Sequence, residues 1–210
     1  MELLAWAFSS GWASGINGYA VVLVMGLMGR FGGADGVPEI FERPDVLLVA
    51  TALLLIDAVM DKIPYLDSAW DAAHTMIRPV IGAVIALMLA GDATSLEQAI
   101  ATATGGGAAL ASHLVKSGLR VAVNTSPEPA SNIAVSLAED FTVAGVVAVS
   151  VLWPLVAACI AGALLVSGLL MVRFLLRRLA LSWRALRSRQ MMSVPHRFPA
   201  DPGPPPRDAA

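Results

Sequence analysis

The chain has little charge. Only 14% of its 210 residues are Asp, Glu, Lys or Arg, whereas 57% are hydrophobic. An ordinary soluble domain carries about 25% charged residues, so this composition excludes an ordinary soluble domain. Aromatic residues are also few, at 6%, and the apolar residues are mostly Ala, Val, Leu, Ile and Gly, which suit close helix packing in a bilayer. The composition predicts an all-α fold, a polytopic transmembrane helical bundle.

Cysteine and the common catalytic motifs are scarce as well. Cys159 is the single cysteine, so neither an intramolecular disulfide nor a cysteine metal site can form. His74 and His113 lie too far apart in sequence for a recognised metal-ligand spacing, and the chain has no nucleophile elbow, zinc-protease motif or phosphate loop. We therefore assign no catalytic residue, no metal and no cofactor, and an enzyme is the less favoured interpretation.

Basic residues are concentrated at the C-terminus. Eight of the fourteen Lys and Arg residues lie in the last thirty-eight positions, and by the positive-inside rule this end is cytoplasmic. The pattern predicts a transmembrane domain over 1–178, an arginine-rich interfacial helix on anionic lipid headgroups over 179–192, and a disordered Pro-rich tail over 193–210. The arginine-rich segment lacks a folded domain for recognising nucleic acid, so nucleic-acid binding is not expected.

The first two helices are predicted to be broken or short. The N-terminus lacks the basic region of a cleaved signal peptide, so residues 3–28 are expected to remain as a span. This span carries Gly11 and Gly15 four residues apart and then Asn17, which indicates either a groove for another helix or a broken helix that exposes backbone groups. The run 46–60 is too short for a full crossing and favours a short, tilted or re-entrant helix.

The later boundaries depend on prolines and capping residues. Ser68 is expected to cap the third helix, and Ser95 and Gln98 have the spacing of a capping box for the fourth. Prolines exclude regular helix over 124–132, after which Ser131 or Asn132 is expected to cap the next helix. No turn signal accompanies Pro154, so we predict one long kinked helix through it.

Polar side chains are concentrated in the middle of this apolar chain. A charge facing lipid costs at least a few kcal/mol, so such groups normally face a bundle interior, a water-filled cavity or one another. At helical spacing they form two stripes that can face each other. A short similarity around the two histidines leaves open an internal repeat, from which many transporters build a central site. The candidate site residues are Asn17, Asp57, Asp61, Lys62, Asp67, Asp71, His74, Arg78, His113, Lys116, Arg120, Asn124, Glu128 and Asn132.

Several interpretations of these charges are open. They can be structural ion pairs, yet a buried pair rarely gains stability over apolar packing, so several pairs in one small chain favour a function. A proton relay would use the aspartates and histidines, and an anion site would use the basic groups with helix N-termini. The pairs expected in the structural interpretation are Asp57 or Asp61 with Lys116 or Arg120, and Asp67 or Asp71 with Arg78.

Some of these residues belong to longer motifs. The motifs are Gly15-Ile16-Asn17-Gly18-Tyr19, Asp61-Lys62-Ile63-Pro64 with Asp67 and His74, Arg78-Pro79-Val80-Ile81-Gly82, Lys116-Ser117-Gly118 with Arg120, and Asn124-Thr125-Ser126-Pro127-Glu128-Pro129 with Ser131-Asn132. Together they resemble the DUF4126 family of small integral membrane proteins, over roughly residues 5 to 165. The resemblance implies a location in the bacterial inner membrane, and it carries no activity, substrate or cofactor.

We expect a small membrane transporter or channel with a polar central site for an ion or a small anionic solute, coupled to protons. Lys62, Lys116 and Arg120 would hold the anionic group or ion, while Asp57 or Asp61 would exchange protons or counter-ions. Such a small chain is expected to act as a homo-oligomer. One alternative is a non-transporting membrane scaffold whose buried ion pairs are structural, and another is an enzyme that modifies lipids.

Overall fold

The chain folds into helices joined by short connections. The computed structural model describes residues 1–63, 65–123 and 129–192, with the backbone alone described at 122–123, 129–132, 179 and 182–192. Every regular element in these residues is helical. The elements are α1 (Glu2–Gly32), a 3-10 helix (Glu39–Glu42), α2 (Pro44–Met60), α3 (Leu66–Ala90), α4 (Ser95–Val123), α5 (Pro129–Leu152) and α6 (Pro154–Met192).

Four helical segments are long and apolar enough to cross a membrane. A crossing needs about 20 apolar residues. The short α2, with 17 residues, does not reach that length, as its apolar run predicts. The all-α membrane fold is therefore confirmed. The four segments are Glu2–Gly32, Leu66–Ala90, Ile133–Leu152 and Pro154–Arg178.

Helix α1 packs against α2, α3, α4 and α5. Its two spaced glycines face α4 so closely that a methyl group on Gly11 would lie 2.3 Å from the carbonyl oxygen of Gly105, and one on Gly15 would lie 2.1 Å from that of Ala109. Small residues thus let the two helix backbones touch. The predicted groove for another helix is present.

Helix α1 is also broken at Asn17. This residue has φ −153° and ψ 93°, far from helical values. Its Oδ1 accepts a hydrogen bond from the backbone N–H of Ala20 at 3.0 Å, so the side chain caps the second half of the helix. The groove and the break, which the sequence offered as alternatives, therefore coexist in one helix.

The directions of α1, α3 and α4 follow from their contacts. Along α1 and α4 the residue numbers rise together, because Gly11 lies against Gly105 and the carbonyl of Ile16 contacts Lys116. The two helices are therefore parallel. Helix α3 is antiparallel to α4, with the pairs Ala86 and Gly105, Gly82 and Ala109, and Asp67 and Arg120 in contact.

Pro154 separates two helices, so the prediction of one long kinked helix is wrong. Ala138 in α5 and Gly168 in α6 line the same cavity, whereas a continuous helix would hold them about 45 Å apart. The chain therefore reverses direction between them. Proline has no N–H and disfavours helical geometry at the preceding residue, and Trp153 lies outside both helices.

The predicted capping box of α4 is wrong by one residue. Thr94 and Glu97 form it instead of Ser95 and Gln98. The Thr94 hydroxyl donates to Glu97 Oε2 at 2.8 Å, and its backbone N–H donates to the same oxygen at 3.0 Å. In return the Glu97 N–H donates to Thr94 Oγ1 at 3.4 Å, the reciprocal pattern that satisfies the free N–H groups of a helix start.

Two other helices begin earlier than predicted. Helix α3 begins at Leu66, so Ser68 is inside the helix rather than its cap. Helix α5 begins at Pro129, so the exclusion of regular helix over 129–132 is wrong, as is the expected cap at Ser131 or Asn132. Proline is tolerated in the first turn of a helix because the N–H that it lacks would have no partner there.

The chain divides into two units, Met1–Phe174 and Leu175–Ala210. The backbone of the second unit is helical as far as Met192. The side chains of the predicted interfacial segment at 182–192 and all of the predicted disordered tail at 193–210 lie outside the described residues. Their lipid contact and disorder therefore stay predictions.

Candidate functional site

Two stripes of charged side chains on α3 and α4 face each other in the interior. Asp67 Oδ2 lies 3.3 Å from Arg120 Nη1, and Nε2 of His113 lies 3.1 Å from the carbonyl oxygen of Asp71. No residue of either stripe is more than 3% exposed. Antiparallel packing thus brings the two predicted stripes together. They consist of Asp67, Asp71, His74 and Arg78 on α3, and of His113, Lys116 and Arg120 on α4.

The guanidinium of Arg78 joins α1, α2 and α3. Its Nη2 lies 3.1 Å from Oδ1 of Asp57, and its Nη1 lies 3.7 Å from Oδ1 of Asp71. Nη1 also donates to the carbonyl oxygens of Gly15 and Ile16, at 3.2 and 2.5 Å. The structural interpretation anticipated the pair with Asp71, whereas Asp57 pairs with Arg78 and not with either base of α4.

Two basic groups on α4 share three carboxylates. Lys116 Nζ lies 2.5 Å from Asp61 Oδ2 and 3.8 Å from Glu139 Oε2. Arg120 Nη2 lies 3.1 Å from the same oxygen of Asp61 and 2.8 Å from that of Glu139. Arg120 Nη1 reaches Asp67 and also donates to the backbone carbonyl of Asp61. These contacts tie α4 to α5, to the start of α3 and to the connection after α2.

The break in α1 supplies backbone oxygens to these cations. In an unbroken helix the Ile16 carbonyl would accept from the N–H of Ala20, but that N–H donates to Asn17 instead. The released oxygen accepts hydrogen bonds from Arg78 and, at 3.2 Å, from Lys116 Nζ. The chemical role of Asn17 is therefore to open the helix where two buried cations need acceptors.

Trp70, His74 and Tyr19 form a hydrogen-bonded group that contacts Asp57. The indole N–H of Trp70 donates to Asp57 Oδ1 at 2.6 Å. His74 Nδ1 lies 2.9 Å from the carbonyl oxygen of Trp70, which can only accept, so this nitrogen carries a proton. Tyr19 Oη lies 3.2 Å from the Nε2 of His74. His74 therefore positions Tyr19 and is not part of the carboxylate cluster.

Sequence reasoning missed two members of the network, Glu139 and Asp140. Besides the contacts of Glu139, Asp140 Oδ1 accepts from Asn17 Nδ2 at 3.5 Å, and its Oδ2 lies 3.9 Å from Lys62 Nζ. The available signal was a pair of adjacent acids directly before the apolar run that begins at Phe141, because charges so close to a membrane span normally have partners.

The remaining predicted residues lie at the edge of the site or outside the described part of the chain. The side chain of Lys62 is 29% exposed, and its Nζ donates to the Ala58 carbonyl at 3.0 Å. Asn124 and Glu128 lie outside the described residues. Asn132 lies in α5, but its side chain is likewise not described.

Two cavities border the network. One, of about 360 Å³, lies between α1, α4, α5 and α6, has mostly apolar walls and includes Lys116 and Glu139. The other, of about 220 Å³, lies between α3 and α4 and is more polar. A water molecule needs only about 10–15 Å³ of such volume, so both can hold several. The residues around the second cavity are Ser68, Asp71, Ala72, Thr75, Ser117 and Val121.

Acids outnumber bases in the network. Among the described residues each basic group lies within 4 Å of at least one carboxylate, and the carboxylates exceed the bases by two. Four of the acids are buried and the other two, Glu139 and Asp140, are partly exposed. An ionised surplus is costly where it is buried, so the arrangement favours the uptake of protons or small cations. The acids are Asp57, Asp61, Asp67, Asp71, Glu139 and Asp140, and the bases are Lys62, Arg78, Lys116 and Arg120.

Comparison with known families confirms the resemblance seen in the motifs. The chain belongs to the DUF4126 family, whose model is described as a domain of unknown function and matches residues 4–174. The match ends where the first structural unit ends, so the whole buried network lies inside the family region. Neither the curated proteins nor the solved structures contain a match to the chain.

Proposed function

We propose that this protein is a small transporter or channel of the bacterial inner membrane, and that a proton or small cation passes through its polar centre. The observation that carries the proposal is the surplus of carboxylates over bases among the described residues of the network, together with the position of one of these acids, Asp71, in the wall of the more polar cavity. Intramembrane ionisable residues that face a cavity are the usual mark of an ion pathway or proton relay.

The same observation argues against an anionic solute, the other substrate expected from the sequence. Lys116 and Arg120 would be its ligands, but both already contact Asp61 and Glu139. An incoming anion would have to displace these carboxylates and leave them buried without partners, which costs several kcal/mol. A cation adds to the acidic surplus instead of competing with it.

The proposal includes the setting of the protein in the membrane. The excess of arginine near the C-terminus favours a cytoplasmic C-terminus and contact of the 179–192 helix with anionic headgroups. Only 11% of the most apolar stretch in Pro154–Arg178 is buried, compared with 67% in α1. Such a surface suits lipid or a second copy of the chain, so a homo-oligomer is part of the proposal.

Flux measurements on the purified protein in liposomes test the function. Gradients of H⁺, Na⁺, K⁺, chloride and phosphate are imposed in turn, and ion movement is followed with internal dyes or radiotracers. We expect movement of H⁺ or a monovalent cation, little movement of the anions, and loss of movement in Glu139→Gln. The matched control is Asp45→Asn, which changes an exposed acid at the start of α2. Liposomes that pass none of these ions would contradict the proposal.

The second candidate is a scaffold that transports nothing. The observation in its favour is that every described basic group of the network has an acidic partner, so the charges need no role other than fixing helix register. A scaffold should pass no ion, and replacing Arg78 and Asp57 together by apolar residues should lower only its stability, because Asp71 and the carbonyl oxygens of Gly15 and Ile16 then lose their contacts with Arg78. A variant of this kind that folds but has lost a flux present in the wild type would exclude the scaffold.

A further inference from the structure

Asp71 is held differently from the other acids of the network. It is 2% exposed, and among the described residues neither of its carboxylate oxygens receives a hydrogen bond. The nearest cation is Arg78, whose Nη1 lies 3.7 Å away, beyond hydrogen-bonding distance. A buried carboxylate without a donor is costly to keep ionised, and a bound proton removes that charge.

The other acids each receive at least one donor. Asp57 accepts from Trp70 and Arg78 at 2.6 and 3.1 Å, and Asp67 accepts from the Ser68 N–H at 2.6 Å. Asp61, Glu139 and Asp140 accept from Lys116, Arg120 and Asn17, respectively. The difference in hydrogen bonding marks Asp71 as the carboxyl group that gains most from a proton.

Charged and titratable groups approach Asp71 from several elements. Arg78 lies on its own helix, α4 brings three basic or titratable groups, and the α2 end brings two acids, while α1 contributes the backbone carbonyls of its break. The two acids, Asp57 and Asp61, do not supply Asp71 with a hydrogen-bond donor, because carboxylate oxygens only accept. The groups are Arg78, His113, Lys116, Arg120, Asp57 and Asp61.

Asp71 is one of the residues that line the polar cavity between α3 and α4, and its carboxylate oxygens are buried. Thr75 and Ser117 also line it. The Thr75 hydroxyl donates to the backbone carbonyl of Asp71 at 3.1 Å, and Nε2 of His113 lies 3.2 Å from Thr75 Oγ1 and 3.4 Å from Ser117 Oγ. Hydroxyl and imidazole groups can hydrogen-bond water, and the volume of about 220 Å³ is ample for a short chain of water molecules.

We propose that Asp71 is the proton-binding residue of this protein and that the hydroxyl-lined cavity is the water-filled route by which the proton reaches it. A hydronium ion in the cavity transfers its proton to one carboxylate oxygen. An O–H bond forms on Asp71, an O–H bond of the hydronium breaks, and neutral water remains. The reverse transfer to water releases the proton. As a statement about transport this rests on the function proposed above, whereas proton binding by Asp71 stands without it.

Proton binding at Asp71 changes the balance around Arg78. The neutral carboxyl group no longer attracts the guanidinium, whose remaining contacts are Asp57 and the carbonyls of Gly15 and Ile16 at the break in α1. The proton is thereby linked to the position where α1 is least regular. In this way a small charge change in the cavity can bias the packing of the central helix.

Infrared difference spectroscopy of the full-length protein in liposomes tests the assignment. The protein is labelled with ¹³C at the aspartate carboxyl groups, and spectra are recorded between about pH 5.5 and pH 9, above the range in which an ordinary aspartate, with a pKa of about 3.9, takes up protons. We expect a protonated-aspartate carbonyl band that appears as the pH falls, shifts in D₂O and is lost in Asp71→Asn. The band should persist in Asp45→Asn, the matched control, which changes an exposed aspartate outside the network. Circular dichroism confirms that both variants are folded.

The possible results separate the residue, the route and the function. The assignment is overturned by a wild-type band that does not respond to pH, or by a band that persists in Asp71→Asn. If Asp71→Asn does not fold, the pH response of the wild-type band alone decides whether an aspartate binds the proton. Ser117→Val, which removes a hydroxyl group and fills the cavity, should slow deuterium exchange of the band, and an unchanged rate overturns the route. If the band titrates and disappears in Asp71→Asn but liposomes show no flux, proton binding is supported and the transport function fails.

Discussion

Helices α1 and α6 show two ways of using an apolar sequence. In the most apolar stretch of α1 67% of the residues are buried inside the bundle, compared with 11% in that of α6. The protected helix carries a break, a capping asparagine and two carbonyls engaged by buried cations. The exposed stretch of α6 runs without a comparable break from Pro154 to Arg178.

The difference shows where a membrane helix can give up regularity. Backbone groups that leave the helical pattern must find other partners, because lipid offers none. In α1 the neighbouring helices bring Arg78 and Lys116 to those groups, and in α6 few neighbours are available. Small residues along α1 and α4 allow the close approach that makes this possible. The polar centre therefore depends on tight packing, and the comparison predicts large effects in the centre and small ones outside.

The largest effect is expected from removing a buried base. Arg120→Met leaves Asp61, Asp67 and Glu139 without one of their cationic contacts, and loss of one member of a buried ion pair typically costs about 3–5 kcal/mol. The measurement is the unfolding free energy in mixed detergent micelles, followed by circular dichroism. The matched control is Arg43→Met, because the ion pair of Arg43 with Asp45 is more than half exposed and should leave the unfolding transition nearly unchanged. Equal destabilisation by both changes would show that burial does not set the difference.

Next in size is the effect of adding one methyl group where helices touch. A methyl group at Gly105 would lie 2.4 Å from the Ala86 Cβ and 2.6 Å from the Gly82 carbonyl oxygen, whereas one at Gly107 meets nothing within 4 Å. We expect Gly105→Ala to cost about 1–3 kcal/mol through overpacking. Gly107→Ala should be neutral or slightly stabilising because alanine favours helix. Unfolding of both variants under the same conditions checks this, and similar stability for the two would contradict close packing of α4 with α3.

The sequence predicted the polar faces of the helices better than the contacts between the helices. Helical spacing alone placed Asp67 and Arg78 on one face, and His113 and Arg120 on another, because a repeat of 3.6 residues is a local property. The pairing of Asp57 with Arg78 was missed, since it depends on where the short α2 ends relative to α1 and α3. No local pattern contains that information.

The membrane boundaries show the same limit. Glu139 and Asp140 were not among the predicted site residues, yet Arg120 of α4 contacts Glu139 and Asn17 of α1 contacts Asp140, which brings both into the network. Pro154 was interpreted as a kink because no glycine or polar turn accompanies it. A single residue, Trp153, is enough for the chain to separate α5 from α6, and the reversal is visible only from the cavity that both helices line.

A smaller effect is expected from the cap inside α1. Asn17→Ala removes the acceptor for the Ala20 N–H and should cost about 0.5–2 kcal/mol, as the loss of a cap does elsewhere. Asn17→Ser keeps a capping oxygen and should retain most of the stability. The unfolding free energies of the two variants are compared in the same micelles. If alanine is tolerated as well as serine, the cap does not maintain the break, and the contacts of Arg78 and Lys116 alone are sufficient.

The smallest effect concerns the exposed start of α4, far from any buried charge. The hydroxyl of Thr94 donates to Glu97 and holds the pKa of that carboxyl below its usual value of 4.5. A lowered folded-state pKa means that the stabilisation is present above the unfolded-state pKa and is lost as the pH falls through the folded-state pKa. We expect the wild type to be slightly more stable than Glu97→Gln near neutral pH and the gap to close in acid, measured as unfolding midpoints over a pH series. Thr94→Ala should abolish most of this pH dependence. A gap that stays constant with pH would mean that the Glu97 charge contributes nothing, and that the difference arises from the shape of the side chain alone.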